Sequence, residues 1–276
     1  MKHIGSIVLW LCTFIYMPSY SYASELKSFT AINYKTDRKI GDVKDINTLK
    51  IRCLETKTRG VESRAGLLSL KTEFKNLEHY DVAITTGHGL IDKTGQLREN
   101  CTVIAHGQDD RDILKIIFAN DYMSASTNDW ALIVFPKFES VNVVRYTTPS
   151  FFDIEKFETL ADLNTDVLFA QAKGLFAGHQ TCQILPREKG GFYDEKYAGI
   201  LSHNCKAFPG QSGSPVSSKI EGQDVLLGIH LGQSYALHNR TSSPTKQYGY
   251  FRIFDDRMLG EVSKKLLEFD GNTYRR

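Results

Sequence analysis

Long apolar runs are missing from this chain beyond its first two dozen residues. No later stretch approaches the ~18 apolar residues of a membrane span. A strong excess of either charge is missing as well. The 34 basic residues face 32 acidic ones, for a net charge of +2. That balance leaves no electrostatic footprint for nucleic acid or an anionic membrane. No Cys-x-x-Cys pair occurs, so the spacing of a zinc site is absent. The acidic cluster Asp109-Asp110-Arg111-Asp112 lacks the alternation and the glycine of a calcium loop, and it reads as a solvated turn. Internal repeats and low-complexity segments are absent too. No metal and no cofactor is therefore expected. What is present is ordinary globular composition, 41% hydrophobic and 24% charged over 276 residues. A chain of that length can build one large core or two small ones.

The one early apolar stretch has its own explanation. Lys2 supplies a positive start, residues 4–16 are mostly apolar, and Ser21-Tyr22-Ala23 places small residues where a signal peptidase cuts. Residues 1–23 are expected to be a signal peptide, and the mature protein a secreted or periplasmic one without a membrane segment. Residues 24–45 are polar and read as an N-terminal arm or a propeptide. With Cys12 removed, Cys53, Cys101, Cys182 and Cys205 remain, an even number in an oxidising compartment. Four cysteines allow three pairings. Their order favours Cys53–Cys101 and Cys182–Cys205, one bridge in each half of the chain.

From Leu49 onward short apolar or alternating runs are separated by polar turns, the pattern of a β-barrel or sandwich. Val82-Ala-Ile-Thr85, Ile113-Leu-Lys-Ile-Ile-Phe118 and Trp130-Ala-Leu-Ile-Val-Phe135 are examples. Residues 136–165 are less regular and suggest a crossover. A second series follows, including Val225-Leu-Leu-Gly-Ile-His-Leu231 and Tyr248 to Ile253. At the end, Asp255 or Asp256 can cap a helix in which Leu259, Val262, Leu266 and Phe269 recur at helical spacing.

Gly210-Gln-Ser-Gly-Ser-Pro215 is the stretch with the clearest chemical potential. A serine between glycines leaves room for a carbonyl substrate and frees backbone N–H groups to point at an oxyanion. A serine hydroxyl is scarcely nucleophilic at neutral pH and needs a base. Of eight histidines, His88 alone is delivered by an apolar strand to a glycine-flanked end, in Asp81-Val-Ala-Ile-Thr-Thr-Gly-His-Gly. His79 and His106 lie beside polar stretches, and His179, His203 and His238 read as loop residues. Asp129, at the head of Trp130-Ala-Leu-Ile-Val-Phe135, is a carboxylate that a neighbouring imidazole would compensate.

The order His88, Asp129, Ser212, with the segments Thr85-Thr-Gly-His88, Asp129-Trp-Ala-Leu-Ile and Gly210-Gln-Ser-Gly-Ser-Pro215, resembles the chymotrypsin-fold serine proteases. The likeness covers residues 45–270. Within that family it is nearest to bacterial trypsin-like and glutamyl-endopeptidase-like members, which share Gly-x-Ser-Gly-Ser-Pro and a Gly-Ile-His strand, here Gly228-Ile229-His230. The resemblance implies an all-β fold of two six-stranded antiparallel β-barrels with a C-terminal helix. The protease domain would span about 46–270, with barrels at about 46–145 and 150–254 and the helix at about 255–269. It implies Ser212 as nucleophile, His88 as general base and acid, and Asp129 as the residue that orients His88. The N–H groups of Gly210 and Ser212 would form the oxyanion hole.

Two residues depart from the trypsin pattern. Gln211 stands where trypsin-like members carry the aspartate that pairs with a new N-terminus, and Gly89 replaces a cysteine. The resemblance also places the pocket for the residue before the scissile bond between Lys206-Ala-Phe-Pro209 and residues 228–234, with Gly232 in its wall. His230 matches the histidine that glutamyl endopeptidases use to receive a substrate carboxylate. With Lys206 nearby it would favour Glu or Asp there. Ala207, where those enzymes have a hydroxyl residue, argues the other way, as does reading His230 as a satisfied interior histidine.

The expected function is a secreted serine endopeptidase acting on polypeptide substrates as a monomer. A catalytically silent protease fold serving as a binding protein or adhesin is the alternative. An α/β-hydrolase is disfavoured, because its nucleophile motif, its residue order and its alternating βα pattern are all absent.

Overall fold

The computed structural model describes residues 48–54, 60–70, 74–105, 108–124, 126–139, 144–148, 164–170, 177–185, 199–203, 205, 210–220, 222–235 and 247–269. All belong to the second of two compact units, Ile40–Arg276. The expected signal peptide and N-terminal arm therefore lie outside the described residues. So do Lys206 and Ala207.

The first half runs β1 (Leu49–Leu54), β2 (Gly60–Leu68), β3 (Tyr80–Thr85), β4 (Thr102–Ile104), β5 (Arg111–Asp112), β6 (Lys115–Phe118), β7 (Ala131–Pro136) and β8 (Arg145–Tyr146). Seven of these form a curled sheet in the order β5-β4-β1-β2-β3-β7-β6, and β8 adds to β2 in parallel. Six are the principal strands, while β5 and β8 are two residues long. The second half runs β9 (Asn164–Ala170), β10 (Ala177–Leu185), β11 (Ile200–His203), β12 (Pro215–Ile220), β13 (Gln223–Tyr235) and β14 (Gln247–Ile253). These close into a six-stranded antiparallel barrel, β10-β11-β14-β13-β12-β9. A 13-residue helix, α1 (Asp256–Glu268), follows, with Asp255 as its N-cap accepting the Met258 N–H at 2.9 Å.

The unbroken apolar runs have a plain cause. In β7, Ala131, Ile133 and Phe135 face the interior of the first sheet, while Leu132 and Val134 face outward. That outward face is also covered. It shares one cluster with Ile229 and Leu231 of the second barrel and with Met258, Val262 and Leu266 of α1. A strand buried on both faces loses the alternation that a half-exposed strand shows. Val225, Leu227, Phe251 and Ile253 fill the second barrel.

The halves are fastened by polar contacts as well. Asp81, 2% exposed, accepts a two-pronged bond from Arg145 (2.7 and 3.2 Å) and the Phe138 N–H. This pins the start of the crossover. Thr147 then exchanges backbone bonds with Asp224 and Leu226 of β13. Asn76 donates to the Leu266 and Phe269 carbonyls and so ties down the end of α1.

Cys53 and Cys101 form a disulfide, joining β1 to the residue before its neighbour β4. Cys205 is disulfide-bonded too. The side chain of Cys182, its expected partner, lies outside the described residues.

Candidate functional site

Strand register brings His88 to Asp129. In the β3–β7 pair, Thr85 lies opposite Ala131. The residues just past the end of β3 and just before β7 must therefore meet at the same edge. His88 sits in a single 3-10 turn, Gly87–Gly89, and Asp129 ends a tight turn closed by its own N–H to the Ser126 carbonyl at 3.2 Å. The Asp129 carboxylate is fully buried. It accepts the His88 backbone N–H at 2.9 Å and the ring Nδ1 at 2.7 Å. Two bonds to one residue hold both its backbone and its ring plane. The imidazole is one-third exposed, so its other nitrogen can meet a substrate.

Gly87 does more than leave room. A Cβ there would collide with the ring of Tyr122, so the space beside His88 is filled by that ring. Burial, helped by the Asp129 charge, pushes the Tyr122 phenol up to about 12, which keeps it neutral.

Ser212 reaches this edge through β2. The Arg64 N–H donates to the Ser212 carbonyl at 2.8 Å, and the Arg64 carbonyl accepts the Thr85 hydroxyl at 2.6 Å. One residue of β2 thus contacts both the serine turn and the strand that delivers His88. From the other side, Gly213 N–H donates to the His230 carbonyl and His230 N–H to the Ser214 carbonyl, each at 2.8 Å. Gly213 has φ +84°, and a Cβ on it would strike the Arg64 carbonyl and the Thr85 hydroxyl. Only glycine fits between those fixed groups. Gly210 is also in the left-handed region, at φ +87°.

The turn's donors divide cleanly. Gly213 and Ser214 N–H groups are used, the latter on the Gln211 carbonyl at 2.9 Å. Those of Gly210 and Ser212 have no acceptor among the described residues. The Ser212 hydroxyl donates to the Leu231 carbonyl over a long 3.4 Å. Rotation about one side-chain bond would release it.

His230 and Gly232 both lie on β13, beside a bulge in the β13–β14 register. His203 is the residue that sequence reasoning missed. Read as a loop residue, it is instead the last residue of β11, wholly buried, with Nε2 3.0 Å from His230 Nδ1. The polar flanks Ser202 and Asn204 hid it, and only the apolar Ile200-Leu201 before it signalled a strand. His179, also read as a loop residue, lies in β10. Burial lowers His203 to about 3. It takes His230 well below its ordinary range too, with the neighbouring His203 and His88 adding to the effect. Both rings are neutral. Hydrogen-bond direction then fixes their tautomers. The Cys205 N–H donates to His203 Nδ1 at 3.2 Å, so His203 carries its proton on Nε2 and donates to His230 Nδ1. His230 is left with an N–H at Nε2. The pair is a neutral donor, not a cation.

This pair makes stability depend on pH. The unfolded chain binds protons at the ordinary histidine value, 6.5, whereas folded His203 does not until about 3. Between those limits the unfolded state holds more protons, so stability falls as pH falls, by about 1.4 kcal/mol per pH unit per histidine. His203→Gln is expected to make urea-derived stability measured from pH 6 to 4 less steep by about one proton. Equal slopes for the variant and the wild type would refute the assignment.

The fold is the chymotrypsin-like double β-barrel with a C-terminal helix. Among solved structures, the chain is similar to HL collagenase, with a TM-score of 0.58 and 13% identity over 80% of this chain and 94% of that one. No family model matches the sequence, and no curated protein does.

Proposed function

We propose that this chain is an exported serine endopeptidase that works through a Ser212–His88–Asp129 triad and an acyl-enzyme. The observation that carries the reading is the buried Asp129 carboxylate gripping His88 by both its N–H and Nδ1, opposite a turn whose Gly210 and Ser212 N–H groups await an acceptor. In this mechanism Ser212 Oγ swings from Leu231 to His88 Nε2 and attacks the scissile carbonyl. His88 takes the hydroxyl proton and passes it to the leaving amine. The oxygen that becomes negative is received by the Gly210 and Ser212 N–H groups, each worth ~3 kcal/mol of barrier. Water, activated by the same imidazole, then releases the acyl group. The Cys53–Cys101 disulfide supports a compartment outside the reducing cytosol.

For the residue before the scissile bond we propose Glu or Asp. The His203-to-His230 polarity supports this, because it leaves His230 Nε2–H as an oriented donor for a carboxylate. A neutral donor inside the fold can bind a carboxylate without an unpaired buried cation in the empty site.

The test uses a fluorophosphonate probe with peptide mapping, together with quenched peptides differing only at that residue. One adduct per chain, on Ser212, and faster cleavage after Glu are expected. Cleavage without acidic preference would remove the specificity reading alone. Neither adduct nor cleavage would favour the silent binding fold.

A further inference from the structure

We infer that Arg252 is a positioning residue for the Asp129–His88 pair, acting through the backbone of the turn that carries Asp129. The inference rests on the proposed roles of Asp129 and His88. Arg252 lies on β14 and is 3% exposed, although it carries a full charge. Its terminal nitrogens grip Asp255 in two places, at 2.8 and 3.0 Å, and Nη1 also donates to the Gly199 and Ile253 carbonyls. Asp255 neutralises it and at the same time caps α1. Those contacts explain why a buried arginine is tolerated. They do not account for the Nε–H. Nε–H reaches out of the second barrel to the Thr127 carbonyl, 125 positions earlier in the chain, at 2.8 Å.

Thr127 is two residues before Asp129, inside a turn that carries hydrogen bonds of its own. The Ser126 hydroxyl donates to the Met123 carbonyl at 2.6 Å and accepts the Asn128 N–H at 3.0 Å, and the Asp129 N–H closes on Ser126. Arg252 therefore ties this turn to the second barrel. The anchoring point matters. Arg252 pairs in register with Ile229 on β13, and the next residue, His230, is the one whose carbonyl holds the Ser212 turn through Gly213 N–H. Asp129 and Ser212 come from different halves of the chain, yet both are referenced to adjacent rungs of the β13–β14 pair. A proton transfer between His88 and Ser212 requires that shared reference, because a displacement of ~1 Å in such a geometry lowers rates ~100-fold. A guanidinium can serve Asp255 and Thr127 together because its donors are splayed in a rigid plane. An ammonium on a flexible stem can hold the charge partner and lose the carbonyl.

The experiment compares wild type with Arg252→Lys and Arg252→Met. Met258→Ala, a buried site within α1, serves as a stability control. All are assayed at a temperature where each is folded, and the Arg252→Lys change is repeated in an Asp129→Asn background. Expected for Arg252→Lys is a kcat lowered roughly 10- to 100-fold with KM within about twofold. In the Asp129→Asn background the further loss should be no more than about twofold, since the residue acts through Asp129. Met258→Ala should keep kcat. The NMR resonance of the His88 Nδ1 proton, far downfield when bonded to a buried carboxylate, should shift or broaden in Arg252→Lys. An unchanged kcat in folded Arg252→Lys, an equal loss in the Asp129→Asn background, or an equal loss in Met258→Ala would overturn the inference. If the wild type hydrolyses nothing, the protease reading fails. The resonance then decides the matter: no change in Arg252→Lys overturns the positioning role as well.

Discussion

Ser212→Ala is expected to lower kcat by about 10⁶-fold while leaving the fold intact. The substitution removes one oxygen from a half-exposed turn whose conformation does not depend on it. The turn is held by Arg64 N–H on the Ser212 carbonyl, by Gly213 N–H on His230 and by Ser214 N–H on Gln211, all backbone bonds. The only bond lost is the long donation to the Leu231 carbonyl. A change confined to such a bond shifts stability by about 1 kcal/mol at most. On the proposed mechanism chemistry loses far more, because no acyl-enzyme can form. The Gly210 and Ser212 N–H groups stay in place, so a residual rate about 10³- to 10⁴-fold above water is expected. Stopped and continuous assays with the best peptide would measure this, with thermal unfolding as the control. Hydrolysis or fluorophosphonate labelling that survives the substitution would assign the nucleophile elsewhere.

Asp129→Asn should cost about 10⁴-fold in kcat, again without unfolding the protein. The wild-type carboxylate has two acceptor oxygens, one for the His88 N–H and one for its Nδ1. An amide of the same shape has one oxygen and one donating nitrogen. If its oxygen keeps the backbone N–H, its NH₂ faces Nδ1 and forces the ring proton onto Nε2. Nε2 is the atom that must be bare to take the Ser212 proton, so the base is disabled by tautomer rather than by displacement. The expected signature is a loss of kcat that shrinks as pH rises, because hydroxide can then replace the base. An Asp129→Asn enzyme within tenfold of wild type at neutral pH would show that the carboxylate does not set the tautomer.

Much of this site could be read from local sequence. Val82-Ala-Ile-Thr85 and Ala131-Leu-Ile-Val-Phe135 are strands that carry His88 past one end and Asp129 before another, and their composition says so. The glycines around Ser212 announce a strained turn, and Asp255 ahead of a helical apolar spacing announces α1 with its cap. The Cys53–Cys101 bridge followed from cysteine order. Apart from that bridge, each of these signals is carried by residues within about ten positions of one another, where periodicity and turn chemistry operate.

What stayed hidden depends on strands that meet only after folding. His203 sat in a polar stretch and acquired its meaning when β11 and β13, each paired to β14, brought it to His230. Beside Gly87, the ring of Tyr122 fills the space from 35 residues away. β12 reads as an ordinary polar segment, Pro-Val-Ser-Ser-Lys-Ile, until it is seen closing the second barrel between β9 and β13. Arg252 looks like a surface arginine in a strand, and only its reach to Thr127 gives it a role. The physical reason is common to all four. A hydrogen bond or a ring contact between distant segments leaves no periodic trace in either one, so residue types and spacing singled out His88, Asp129 and Ser212 as the proposed site, while the packing of the two halves decided which neighbours hold them.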